Sequence, residues 1–134
     1  MYKRREARIQ ALIIIFENMF TQESISCITR MAEKYRNEKI IPFAKKIAKY
    51  SYENTERIEY LINKYSTGWT IDRISKVLLA LLKTAISEIL FIENVPINVS
   101  INEYIEISKN YLSDEETGFM HGILGSIMDN EKIL

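Results

Sequence analysis

"KVLLALLKTAISEILFI", Lys76 to Ile92, stays apolar almost all the way round when wound at 3.6 residues per turn. A helix without a polar face must lie at the centre of a bundle, covered by other helices that carry the polar surface. The rest of the chain agrees with that reading. Two prolines and four glycines in 134 residues leave little turn chemistry. Strand-like alternation is absent over any long window, so the expected class is all-α. The length suits one domain over residues 1–134, enough to bury a core without disulfides or metals.

Upstream of this stretch, a short helical turn is expected around Ile71–Ser75, preceded by "STGWTIDR". A helical period runs from Pro42, a residue suited to a first turn, to about Tyr65, and only Asn54 interrupts it. A further helix is expected over Ser24–Lys34. The first spans Lys3–Phe20, where Ile9, Leu12, Ile13, Phe16 and Phe20 recur at three- and four-residue steps as one apolar stripe.

Downstream, "ENVP" connects to a helix over Val99–Tyr111, with Ile101, Tyr104, Ile105 and Ile107 inward and Asn98 as its cap. Ser113 and Glu116 have the spacing of a capping box that opens a last helix. Glycine costs roughly 0.8–1.0 kcal/mol against alanine inside a helix, so Gly118, Gly122 and Gly125 need a reason. Their spacing gives one smooth face, read here as permitting close approach to the central helix.

Chemistry of the enzymatic kind is hard to find. One histidine, His121, and one cysteine, Cys27, stand 94 positions apart and offer neither a zinc spacing nor a local dyad. Cys27, between Ile25 and Ile28, reads as a small buried side chain. Asp114, Glu115 and Glu116 begin a helix, where its dipole favours them. No phosphate-cradling or dinucleotide motif occurs, so no enzyme, metal or cofactor is expected. No apolar run reaches the ~18–20 residues of a membrane span and no cleavage site follows the N-terminal apolar stretch, which implies a cytoplasmic protein.

Charge is uneven. Residues 1–83 carry 16 Lys+Arg against 9 Asp+Glu, and residues 84–134 carry 2 against 9. Lys3, Arg4, Arg5 and Arg8, opposed only by Glu6, gather where the first helix begins. Guanidinium groups suit phosphate oxygens and stack on bases. Recognition of single-stranded RNA joins such patches to aromatic platforms.

Several segments resemble the NusB transcription antitermination family in order and spacing. They are Trp69–Ile74 (W-x-I-D-R-I), Leu81–Lys83, Ser87–Glu88, "VPINVSINEYIEISK" (Val95–Lys109), "EETGFMHGIL" (Glu115–Leu124) and R-E-x-x-x-Q-A-L at Arg5–Leu12. Phe20–Thr67 matches in helical pattern only. The resemblance implies about seven helices in two small bundles and a non-enzymatic role. That role is binding boxA RNA with the ribosomal protein NusE inside an RNA polymerase antitermination complex. It puts Lys3, Arg5 and Phe119 at the RNA surface, with Arg4 and Arg8 adding charge, and Leu78, Leu79 and Glu115 toward the protein partner. Gly118 stands where the family has lysine, and His121 where it has asparagine. Leu78 and Leu79 replace an acid and a base, which implies an altered partner surface or a homodimer. A helical protein–protein adaptor without RNA is the competing reading. A module of the kind attached to RNA methyltransferases comes third, since no catalytic domain fits this length.

Overall fold

Lys76–Phe91 is the axis of the molecule, buried at every residue from Leu78 to Ile89. The computed structural model describes residues 4–69 and 71–131. In it, seven α-helices follow one another: α1 (Arg4–Thr21), α2 (Ile25–Tyr35), α3 (Pro42–Glu53), α4 (Thr55–Tyr65), α5 (Lys76–Phe91), α6 (Ile97–Ser108) and α7 (Asp114–Asn130). A 3-10 turn at Ile71–Arg73 precedes α5. Helices α1, α2 and α3 pack together, α4, α6 and α7 form a second group, and α5 serves as the shared wall of both. No single helix among the described residues is long and apolar enough to cross a membrane.

Local chemistry sets the helix boundaries. Ser24 caps α2 by accepting from the Cys27 amide, Ser75 caps α5 by accepting from Leu78, and Pro42 opens α3. Ser113 and Glu116 make both bonds of the capping box at the start of α7. The Pro42–Tyr65 run breaks at Asn54, whose side-chain amide donates to the Tyr50 carbonyl. A side chain that serves the backbone in this way competes with helix continuation. With few glycines to supply left-handed residues, the chain uses Gln22, Asn37 and Asn94 at positive φ just beyond α1, α2 and α5.

Three sequence expectations are corrected here. The face of α1 that is buried consists of Ala7, Arg8, Ala11, Leu12, Ile14 and Ile15, whereas Ile13 and Phe20 are 47% and 59% exposed. The alanines decide this: Ala7 and Ala11 on α1, and Ala44 and Ala48 on α3, are fully buried where these two helices pack. Small side chains let helix axes approach, so of the Ile9–Phe20 stripe Leu12 stays in the core, Ile9 and Phe16 pack at its edge, and Ile13 and Phe20 turn outward. Helix α6 starts two residues early, with Pro96 at its cap position, so Asn98 is an exposed helical residue. Cys27 is only half-buried.

The glycine face also departs from expectation. Gly118 and Gly122 are exposed, and a Cβ built on any of the three α7 glycines meets nothing within 4 Å. Helix α7 packs instead through Met120, Ile123, Leu124 and Ile127. Gly122→Ala should therefore stabilise the protein by about 0.8–1.0 kcal/mol, the full helix-propensity difference. The check is a urea midpoint that rises with an unchanged m-value; a midpoint that falls would mean the face is packed after all.

Candidate functional site

Glu88 is the one acid in the apolar middle of α5, and an ionised carboxylate there must find partners. It finds four. The Arg8 guanidinium donates from Nε and Nη2 to the two carboxylate oxygens at 2.8 and 2.7 Å. Ser100 Oγ donates at 2.7 Å and the Tyr104 hydroxyl at 2.9 Å. The cluster ties α1, α5 and α6 together, and Arg8 retains 3% of its side-chain exposure. Burial, then the charge and hydrogen bond of Glu88, push the Tyr104 phenol well above its ordinary value. Arg8 is thus corrected from a candidate RNA contact to an interior cross-link whose fork is already occupied.

Above Arg8, Arg4 and Arg5 are exposed and line a shallow mouth with Val95, Pro96 and Val99. Arg5 makes a two-pronged pair with Glu103, 2.9 Å on each side, and stays half-exposed. The Arg4 guanidinium sits 4.1 Å from the centre of the Phe43 ring. Lys3, the fourth cation of the set, lies outside the described residues.

Phe119 belongs to a second cluster. Its half-buried ring lies 5.8 Å, centre to centre, from Trp69, which is 48% exposed. The two rings wall a groove of about 370 Å³, with Arg73 and Glu115 among its lining residues and Leu78 on the α5 side. Ser75 donates to Glu116 at 3.0 Å, joining the starts of α5 and α7 beneath the rim. Leu78 and Leu79 are each 4% exposed, which corrects their assignment as a partner surface. Helix α5 has no free side there, so both leucines belong to the core and Leu78 reaches only the groove lining. Glu115 is exposed, as a partner contact would need.

The mouth and the groove share no residue. Between them runs the polar side of α6. Glu103 holds Arg5, Glu106 holds Lys109 at 2.7 Å, and the chain then reaches Ser113 on the groove. Trp69 and Arg73 carry no functional assignment in the sequence reading, although Trp69 stands in a motif quoted there. The available signal was a tryptophan beside a Thr-Gly turn, a place where a large ring is hard to bury. His121 is exposed on α7, and no three metal-ligating side chains converge among the described residues.

Glu103, Glu106 and Glu116 titrate below the ordinary range, Glu106 through its hydrogen bond with Lys109. The Arg5 hydrogen bond lowers Glu103, and the Ser113 backbone amide lowers Glu116. A folded pKa below the unfolded one adds stability that is present above the unfolded value, 4.5, and is lost as pH falls through the folded one. The melting temperature should therefore drop as pH falls below about 4.5. Glu103→Gln should make that drop shallower, and an unchanged acid limb in the variant would contradict the assignment.

The family model described as the NusB family matches residues 3–129. The transcription antitermination protein NusB of Natranaerobius thermophilus is 33% identical over 129 residues, covering 92% of this chain and 93% of that protein. The Bacillus subtilis protein of the same name is 33% identical over 125 residues, covering 93% and 94%. NusB from T. maritima superposes with a TM-score of 0.83 at 29% identity, over 97% of this chain and 93% of that one. A chain from the crystal structure of NusB and NusE in complex with dsRNA has the same fold, with a TM-score of 0.83 at 21% identity, over 96% and 98%. A helical fold built round α5, matched from its first helix to its last, makes this chain a member of the NusB family.

Proposed function

We propose that this chain is a cytoplasmic, non-enzymatic transcription antitermination factor that binds boxA-type single-stranded RNA jointly with the ribosomal protein NusE, as part of an RNA polymerase complex. The observation that carries this is the family match over residues 3–129, together with near-full-length relatives named for transcription antitermination. The geometry is compatible at both clusters. Half-exposed ion pairs are worth about 0–1 kcal/mol, so phosphate can draw the Arg5 fork from Glu103 at little cost. Trp69 and Phe119 offer ring surface to a base, and Glu115 offers a carboxylate at the rim. The α6 side chains from Glu103 to Lys109 give a polar path from one cluster to the other.

One observation favours the RNA-free adaptor. Arg8 is buried on Glu88 and Arg5 is paired with Glu103, so fewer cations face solvent than the sequence promises. Anisotropy with a labelled boxA-like RNA, with and without NusE and with a duplex control, separates the readings. Binding that prefers the single strand and tightens with NusE supports the proposal. With one phosphate each on Arg4 and Arg5, these two contribute about −1.4 to the log–log salt slope. No binding at low salt, alone or with NusE, favours the adaptor.

A further inference from the structure

Arg4 is not the end of the cationic surface. On α3, Phe43, Lys46 and Tyr50 fall at i, i+3 and i+7, on one flank of the helix. Arg4 covers Phe43 at 4.1 Å, and Tyr50 stacks on Phe91 of α5 with centres 5.6 Å apart and planes at 21°. Arg57 lies 5.9 Å from the Phe91 ring centre at the far end. Lys49 turns to the α2 side, where it lines a groove with Lys45, and Lys46 and Arg57 are the exposed cations on the ring side. Among the described residues neither they nor Arg4 take part in an ion pair, whereas Lys45, on the α2 flank, is neutralised by Glu33 at 3.1 Å.

We propose that RNA bound at Arg4 continues along this flank of α3, with Lys46 and Arg57 neutralising the phosphates of nucleotides outside the boxA-type element and the Tyr50–Phe91 pair offering ring surface beside them. The inference rests on the RNA reading above and extends it to a second stretch of the same strand. Phe43 to Tyr50 spans about 10 Å at 1.5 Å per residue. Over that length, unpaired cations alternate with rings, the combination that tracks a single strand without reading its sequence. An acidic protein segment would use the cations but has no need of flanking rings, which is why a polynucleotide is the better fit.

The test compares a short boxA-like RNA with the same RNA extended at both ends by oligouridine, in the presence of NusE. The full-length protein should bind the extended RNA more tightly. Lys46→Ala/Arg57→Ala should abolish that advantage and make the salt slope for the extended RNA shallower by about 1.4, a loss of about twentyfold near 0.1 M salt. Arg30→Ala/Lys34→Ala removes the same charge from exposed positions on α2 and should keep the advantage. If the Lys46/Arg57 variant keeps it, or the α2 variant loses it equally, the track is overturned while boxA binding stands. If the unmodified protein binds neither RNA, the RNA reading itself fails, and this inference with it.

Discussion

Glu88→Ala is expected to destabilise the protein by about 3–5 kcal/mol, the cost of leaving a buried charge without its partner. The Arg8 guanidinium would remain in an interior site with two of its hydrogen bonds gone, and its second acid, Glu103, stands 3.7 Å from Nη1. Ser100 and Tyr104 would lose the acceptor for their hydroxyls at the same time. Native domains have a total stability of about 5–15 kcal/mol, so the variant should sit near the edge of folding. Urea denaturation reads this directly. A loss below about 1 kcal/mol would mean that the pair is solvated and Arg8 free, which would return Arg8 to the list of RNA contacts.

Phe119→Ala should weaken RNA binding by about 1–3 kcal/mol if one base stacks on the ring, roughly fivefold to 150-fold. Its effect on the fold should stay below the ~3–5 kcal/mol typical of a fully buried phenylalanine, because the ring is only half-buried and its neighbour Trp69 is largely open. Phe119→Leu separates the two roles, keeping apolar contact with Trp69 while removing the flat face. If the ring holds a base, both variants lose affinity although the leucine variant keeps most of its stability. If the ring only packs, the leucine variant binds like the parent and affinity per folded molecule is unchanged in both.

Legibility in the sequence follows the range of the interactions. The central helix could be read because its apolar residues run almost all the way round, and the Ser113–Glu116 box because its partners are three residues apart. Helix α1 could not be oriented from its own pattern. It carries two apolar faces, and the choice between them depends on the alanines of α3. Arg8 reads as a surface cation until it is paired with an acid 80 positions away. Glu88, the one acid in a mostly apolar helix, was the hint that a buried cation existed. The glycines of α7 suggested a tight contact by spacing alone, but spacing does not say which face a neighbour occupies. Leu78 and Leu79 looked like a changed partner surface by analogy, and the completeness of α5 burial removes that role.

An amide-resolved NMR titration of the protein–NusE complex with boxA-like RNA tests most directly whether the Arg4–Arg5 mouth and the Trp69–Phe119 groove serve one ligand. The expected result is that amides of the first turn of α1 and those around Trp69 and Phe119 shift together, along one saturation curve. Shifts confined to one cluster, or none in either at saturating RNA, would contradict it.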